Sequence, residues 1–203
     1  MADVERAVAA LEQGGVIVYP TETLYGLGVD ATAEAALARL GSLKGRDRGK
    51  PVSVLVGSRA MLDDIVDLVT SVAERLIEKF WPGPLTLALP AKPHVSSALT
   101  GGAGTIAVRI SSEPIAQAIV EGLRRPLTAT SANPGGAPAA VDIAAARAYF
   151  GRRVDVYVDA GRVLGGPGST VVDCSTDVPR LVREGAIPLA AIEAVARMRL
   201  RRE

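Results

Sequence analysis

Residues 16–28 read VIVYPTETLYGLG, an apolar run followed directly by polar residues and glycines. The run at 16–19 is typical of a buried strand, and Pro20 ends it because proline has no amide hydrogen to give a neighbouring strand. In open α/β sheets, ligands bind just beyond the ends of strands. The segment therefore predicts an α/β fold in which the residues from Thr21 to Gly28 contribute to a binding site.

The rest of the chain alternates between helical and strand-like patterns. Residues 3–13 carry an apolar stripe at helical spacing, and Gly14-Gly15 ends that helix. With no linker and no internal repeat, we expect residues 1–203 to form one α/β domain with a mixed sheet. Further helices are predicted at 33–43, 59–80 (with a break near Thr70), 113–123, 142–149 and 188–199, and strands at 52–56, 85–89, 105–110, 127–129, 154–158, 169–173 and 180–183.

The composition excludes several classes of protein. A formal net charge of +1 is too small for whole-molecule attraction to nucleic acid, and 3% aromatic residues are too few for a surface that stacks single-stranded bases. One cysteine, Cys174, and one histidine, His94, exclude an internal disulfide and the usual zinc set, so we predict no metal bound by protein side chains. Neither a signal peptide nor a membrane span is recognisable, and we expect a cytoplasmic protein.

The segment Lys44–Pro51 is a basic loop. It reads KGRDRGKP, with four cations, one anion and two glycines before the proline. Glycine and proline disfavour a helix or strand interior, while guanidinium and ammonium groups on an adaptable loop suit a polyphosphate. The alternative is a solvated basic turn, which is the more common role of such a charge run.

Three other segments place polar groups at the ends of predicted strands. Arg109 stands in an apolar strand, where it either forms a structural ion pair or waits for a carboxylate or phosphate. Ser131-Ala132-Asn133 is either a ligand-binding pair or ordinary turn chemistry, and the glycine-rich stretch Gly165–Thr170 is either an anion nest or a tight connection. Together with the basic loop, these segments favour a site for an anionic small molecule and a nucleoside triphosphate.

Five segments occur in this order along the chain: Tyr19–Gly28, Lys44-x-Arg46 with Lys50-Pro51, Trp81–Thr86, Thr105–Arg109 and Ser131-Ala132-Asn133. Together they resemble the YrdC-like family, the L-threonylcarbamoyladenylate synthases. The resemblance extends from about residue 5 to 190 and is closest to the short form, without the extra C-terminal domain of longer relatives.

The resemblance implies a fold and a reaction. The fold is a single twisted, mixed but largely parallel sheet with flanking helices and a concave basic face. The enzyme is a nucleotidyltransferase that converts L-threonine, bicarbonate and ATP, with Mg²⁺ accompanying ATP, into threonylcarbamoyl-AMP, pyrophosphate and water. The product feeds a tRNA threonylcarbamoyl-transfer machinery that modifies the adenosine next to the anticodon.

The resemblance also implies roles for particular residues. The chain departs from the family pattern at two positions. Gly168 stands where the family often has Glu, and Val141 stands where it often has Thr. The implied catalytic residues are Lys44, Arg46, Ser131 and Asn133; the implied threonine-binding residues are Thr23, Arg109, Ser131 and Ser169; and the implied ATP-binding residues are Arg46, Lys50, Thr105, Asn133 and Arg183.

Two other functions are compatible with the sequence. One is a non-catalytic factor that binds double-stranded RNA, tRNA or the ribosome through the same basic face, which Arg124-Arg125, Arg152-Arg153 and the arginine-rich C-terminus would favour. The other is carbamoyl transfer to a different acceptor. Arg109, Ser131 and Asn133 favour the synthase over the RNA-binding factor, because an RNA-binding face does not require a carboxylate-binding fork within a strand.

If the resemblance extends to activity, replacing Arg46 by alanine removes most pyrophosphate release from ATP and leaves the fold intact. The loss of one donor to developing charge typically costs about 3 kcal/mol in the transition state. A pyrophosphate-release assay with circular dichroism as the folding control tests this, and near-normal turnover would contradict the role of Arg46.

Overall fold

The computed structural model describes residues 2–45 and 49–202. Its α-helices are α1 (Ala2–Glu12), α2 (Glu34–Lys44), α3 (Arg59–Ile65), α4 (Ser71–Phe80), α5 (Ser97–Thr100), α6 (Pro114–Leu123), α7 (Ile143–Phe150) and α8 (Leu189–Ala196), and a 3₁₀ turn spans Gly151–Arg153. Its strands are β1 (Ile17–Pro20), β2 (Tyr25–Gly28), β3 (Val54–Leu55), β4 (Leu85–Pro90), β5 (Thr105–Arg109), β6 (Leu127–Thr128), β7 (Thr130–Ser131), β8 (Val156–Tyr157), β9 (Thr170–Asp173), β10 (Arg180–Arg183) and β11 (Arg201–Arg202).

The predicted helices are present, and side-chain caps account for several of their ends. The break expected near Thr70 separates α3 from α4, and the Thr70 side chain accepts a hydrogen bond from the Ala73 amide at the start of α4. Asp142 likewise caps α7 by accepting from the Ala145 amide at 2.8 Å. Such caps satisfy amide groups that have no partner within the helix.

The strands form two sheets, which corrects the expectation of a single, largely parallel one. One sheet has the order β7-β2-β1-β8 and the other the order β11-β10-β9-β4-β5-β3-β6. Among the described strand pairs, four are parallel and five antiparallel. Short connections such as the one between β1 and β2 explain the difference, since a parallel pair needs a long crossover.

Residues 25–28 form a strand, β2, that the sequence analysis did not predict. This strand pairs antiparallel with β1, and all four of its residues are buried. Its two glycines made the sequence look unlike a strand, because glycine is uncommon in strands. The packing of the Tyr19 ring nevertheless requires them. A Cβ atom added to Gly28 would lie 2.7 Å from Cε1 of the Tyr19 ring.

Two clusters of apolar side chains pack the helices against the two sheets. The larger one lies among the two sheets and α2, α3, α4, α7 and α8, and the smaller one fixes α1 and α6 against β1 and β8. Within the part of the chain that is described, no helix is both long enough and apolar enough to cross a membrane. The clusters leave one face of β4, β5, β9 and β10 open towards the β1–β2 hairpin, and the cleft described below lies there.

The two glycines Gly28 and Gly41 should respond oppositely to the same change. Gly28→Ala should lower the free energy of unfolding by about 1–3 kcal/mol, because its methyl group meets the Tyr19 ring, Leu127 and Ile17. Gly41→Ala, inside α2 and with nothing within 4 Å of the added Cβ, should raise it by about 0.5–1 kcal/mol. Urea unfolding of both variants measures this, and a neutral Gly28→Ala would contradict the packing argument.

Candidate functional site

A cleft of about 680 Å³ lies between the two sheets. One wall is the β1–β2 hairpin with β7, and the other is the open face of β4, β5, β9 and β10, while the end of α2 closes one side. This volume is in the range of small-molecule sites. Eight of the ten predicted site residues line the cleft: Thr23, Lys44, Lys50, Thr105, Arg109, Ser131, Ser169 and Arg183.

The two remaining predicted residues have different outcomes. Arg46 lies outside the described residues. Asn133 is buried and is not among the residues that line the cleft. Its side-chain amide donates to the carbonyls of Pro134 at 2.9 Å and Ala137 at 2.6 Å, so Asn133 fixes the loop that follows β7.

Lys44 connects the end of α2 to that loop. Its Nζ donates to the Ser131 carbonyl at 2.6 Å and lies 3.5 Å from Oδ1 of Asn133. Its own carbonyl accepts from the Gly135 amide at 2.9 Å. Gly45 ends α2 in the left-handed region, with φ at 57°, a conformation that glycine adopts without a steric cost. The lysine side chain is therefore buried and fixed, although the loop it introduces is rich in glycine.

Arg109 forms a structural ion pair with Glu22 and also lines the cleft, and its role towards a ligand stays a prediction. Its Nη1 donates to Oε1 of Glu22, and the Ser111 hydroxyl donates to Oε2 of the same carboxylate at 2.5 Å. The side chains of Arg109 and Glu22 are 7% and 14% exposed. Sequence reasoning missed Glu22 as a partner, because the pair joins residues 87 positions apart.

Ser169 and Arg183 form a second polar group on the sheet wall. The Ser169 hydroxyl lies 2.8 Å from that of Thr86, a residue that sequence reasoning did not assign to the site. Nη2 of Arg183 donates to the Ser169 carbonyl at 2.8 Å and to its hydroxyl at 3.3 Å. Burial, and then the nearby charge of Arg109, hold the pKa of Arg183 below its ordinary value.

Gly168 has a conformational reason for departing from the family pattern. Its φ is +78°, in the left-handed region that disfavours other residues, and an added Cβ would lie 3.5 Å from Nη2 of Arg183. Gly185 brings the chain close to the same place, since its Cβ would lie 2.5 Å from the Ser169 carbonyl group. These two glycines allow the backbone around Ser169 to pack without side chains.

The hairpin wall is held by Thr21 and Thr23. The Thr21 hydroxyl donates to the Leu24 carbonyl at 2.6 Å and lies 3.3 Å from the Thr23 hydroxyl. The Thr23 carbonyl accepts from the Gly165 amide at 3.1 Å, which attaches the glycine-rich connection to the hairpin. The turn is thus fixed by its own side chains, and Thr23 lines the cleft from a buried position.

The charge of the cleft favours an anionic ligand. Among the described residues that line the cleft, one side chain is a carboxylate, Asp173, whereas five are cationic: Lys44, Lys50, Arg109, Arg180 and Arg183. Burial opposes the ionisation of Asp173, but the hydrogen bonds of Ser175 and Arg180 outweigh it and hold the pKa of the carboxyl below its ordinary value. Glu22 lies behind Arg109 and offsets part of this charge.

The described lining of the cleft contains neither a cysteine nor a histidine. Cys174 is buried, and its burial raises the thiol pKa to about 12, so the reactive thiolate is scarce near neutrality. Across residues 2–45 and 49–202, no three histidine, cysteine or acidic side chains are grouped as a metal site would require. The cationic lining of the cleft can bind anions and can stabilise developing negative charge.

Comparison with known proteins gives a consistent result. The sequence profile of the Sua5, YciO and YrdC family, described as "Telomere recombination", matches residues 9–185. Threonylcarbamoyl-AMP synthase of Halorhodospira halophila is 42% identical over 80% of this chain and 84% of that protein. The synthase of the same name from Pyrococcus abyssi is 36% identical over 93% of this chain, but this match spans 56% of that longer protein.

A solved structure supports the same relationship at the level of the fold. The crystal structure of Pyrococcus abyssi Sua5 complexed with L-threonine superposes with a TM-score of 0.94 and 35% identity. The match covers 98% of this chain and 58% of that one. The expected mixed α/β fold with flanking helices is therefore confirmed.

Lys44→Met tests whether the ammonium holds the loop after β7. The variant keeps most of the side-chain packing but leaves the Ser131 carbonyl without this charged donor, so the free energy of unfolding should fall by about 1.5–3 kcal/mol. Lys79→Met, at an exposed position in the last turn of α4, is the control and should change it by less than about 0.5 kcal/mol. Equal effects of both variants in denaturant unfolding would contradict the assignment.

Proposed function

The chain belongs to the Sua5, YciO and YrdC family, and on this premise we propose that it is an L-threonylcarbamoyladenylate synthase. The proposed reaction joins L-threonine, bicarbonate and ATP into threonylcarbamoyl-AMP and releases pyrophosphate and water, which makes the enzyme a nucleotidyltransferase. The observation that carries the proposal is the convergence of residues from both sheets on one cleft, with the composition that this reaction needs.

The amino-acid end of the cleft is proposed to be the region of Arg109 and Ser169. A guanidinium has five N–H donors in a planar fork, so Arg109 can engage a carboxylate while one N–H remains on Glu22. The hydroxyls of Thr23, Ser131 and Ser169 would bind the other polar groups of threonine. The threonine complex of the Pyrococcus abyssi relative supports this choice of substrate.

The nucleotide end is proposed to be the region of Lys44, Lys50, Thr105 and Arg183, with Arg46 added from the undescribed part of the loop. Lysine and arginine suit the triphosphate because they supply positive charge and several donors. Asn133 was predicted to contact ATP. Since its Oδ1 faces the Lys44 ammonium, we assign it the role of holding Lys44 in place.

The chemistry requires no nucleophilic side chain. The neutral amine of threonine takes up CO₂ derived from bicarbonate, with loss of water, and becomes a carbamate. A carbamate oxygen then attacks the α-phosphorus and pyrophosphate leaves. The protein would position the reactants and stabilise the charge that develops on the phosphates. Mg²⁺ would be held by the ATP phosphates and would neutralise part of their charge.

The product also defines the setting of the enzyme. Threonylcarbamoyl-AMP is a mixed anhydride and is consumed by the machinery that modifies tRNA next to the anticodon, so we propose a cytoplasmic enzyme that acts before that step. We further propose that residues 1–203 form a single YrdC-like domain. Direct contact with tRNA or double-stranded RNA stays a prediction.

Pyrophosphate release from ATP and bicarbonate is the direct test. The rate should require threonine, with serine as the comparison and no amino acid as the blank. Arg109→Lys keeps the charge but loses the planar fork, and should lower kcat/KM for threonine by about tenfold or more. Arg59→Lys, whose partners Asp63 and Glu74 lie on the exposed surface, is the matched control and should leave activity unchanged.

Two results would overturn the proposed function. One is pyrophosphate release at the same rate without threonine. The other is no release by the folded protein under any combination of the three substrates.

A further inference from the structure

We infer that Glu22 is a positioning residue that sets the orientation of the Arg109 guanidinium towards the amino-acid carboxylate. This inference rests on the proposed function, because it concerns how the same cleft recognises its amino-acid substrate. It assigns a role to a residue of the β1–β2 turn that is not among the residues lining the cleft.

The geometry around Glu22 leaves the carboxylate little freedom. One oxygen accepts from Nη1 of Arg109, and the other accepts from the Ser111 hydroxyl at 2.5 Å. The Ser111 hydroxyl also accepts from the Glu113 amide at 3.2 Å, so it is itself held in place. Both Glu22 partners are buried, at 6% exposure for Arg109 and 0% for Ser111. A charge-assisted hydrogen bond fixed at both ends restricts the orientation of the guanidinium plane.

Glu22 is not part of the cleft lining, but it contacts a residue that is. Arg109 lines the cleft, whereas Glu22 lies behind it in the hairpin turn, between Thr21 and Thr23. Any effect of Glu22 on the substrate must therefore pass through Arg109 or through the net charge of the site. These two routes predict opposite results, which makes the inference testable.

The charge route predicts tighter binding when Glu22 is neutralised. In that case the carboxylate would only compete with the substrate for Arg109, and its removal would leave more positive charge for threonine. The positioning route predicts weaker binding, because a guanidinium without its anchor presents its N–H groups in several orientations and the bidentate geometry is lost.

The geometry favours positioning over competition. Glu22 bonds one Arg109 nitrogen, Nη1, and a guanidinium has four further N–H groups. Arg183 supplies a second guanidinium on the same wall of the cleft, and its partners at Ser169 carry no charge. The site therefore remains cationic although Glu22 neutralises Arg109.

Binding of L-threonine, measured by titration calorimetry on the full chain, tests the inference. Glu22→Gln keeps the shape of the side chain, removes its charge and replaces one of its two accepting oxygens by an NH₂ donor. It should raise Kd for threonine about tenfold, the cost of weakening one charge-assisted bond. Glu22→Ala should raise it further, and Ser111→Ala, which removes the other anchor, should lie between the wild type and Glu22→Ala. The Kd for ATP, measured without threonine, should change less than about twofold.

Asp30→Asn provides the matched control. Asp30 is also a buried carboxylate paired with an arginine, Arg125 at 2.9 Å, but it is not part of the cleft lining. We expect Asp30→Asn and Glu22→Gln both to lower the melting temperature, because each removes the charge of a buried carboxylate. Asp30→Asn should nevertheless leave the Kd for threonine unchanged.

The outcomes separate the inference from the proposed function. If the wild type binds threonine and Glu22→Gln binds it equally or more tightly, the positioning role is wrong and the proposed function stands. If the folded wild type binds no threonine, the proposed function fails and the inference fails with it. If Asp30→Asn weakens threonine binding as much as Glu22→Gln does, the effect is one of general stability and the inference is overturned.

Discussion

The buried ion pair between Glu22 and Arg109 is the interaction on which the cleft depends, because it joins the two sheets. Glu22 lies in the turn between β1 and β2 of the smaller sheet, and Arg109 ends β5 of the larger one. A buried pair of this kind adds little compared with a well-packed apolar substitute, but removing one partner typically costs about 3–5 kcal/mol. The pair thus contributes less to overall stability than to the exact placement of one sheet against the other.

Close backbone packing is the second constraint, and glycine makes it possible. Gly28 lies against the Tyr19 ring, whose hydroxyl donates to the Thr128 carbonyl at 2.9 Å. Gly185 packs on the Ser169 carbonyl at the opposite wall. In both places a side chain would push apart elements that carry residues of the cleft. These glycines therefore act on the site although they bear no functional group.

The sequence predicted the helices and most strands because their patterns are local, and it predicted the residues of the cleft through a family resemblance. It failed where the cause is not local. The strand β2 was missed because its glycines are needed for the packing of the Tyr19 ring, a contact with the neighbouring strand β1 that the sequence does not show. The expectation of mainly parallel strand pairs was wrong because short antiparallel hairpins, such as β1–β2, occur within this α/β chain. Glu22 and Thr86 were missed as partners because sequence spacing says nothing about contacts between distant strands. Asn133 was expected in the cleft but bonds its own loop.

The two arginines Arg109 and Arg183, which line the same wall of the cleft, differ in what compensates their charge. Arg109 is paired with a carboxylate, whereas Arg183 is held by the carbonyl and hydroxyl of Ser169, which carry no charge. Two guanidiniums and one carboxylate leave one net positive charge on this part of the wall, so it can still accept an anion. Without Glu22, two guanidiniums with no carboxylate partner would stand on one wall of the cleft and repel each other. Burial, and then the charge of Arg109, already lower the pKa of Arg183. A carboxylate built into the fold therefore allows a second arginine to share the site.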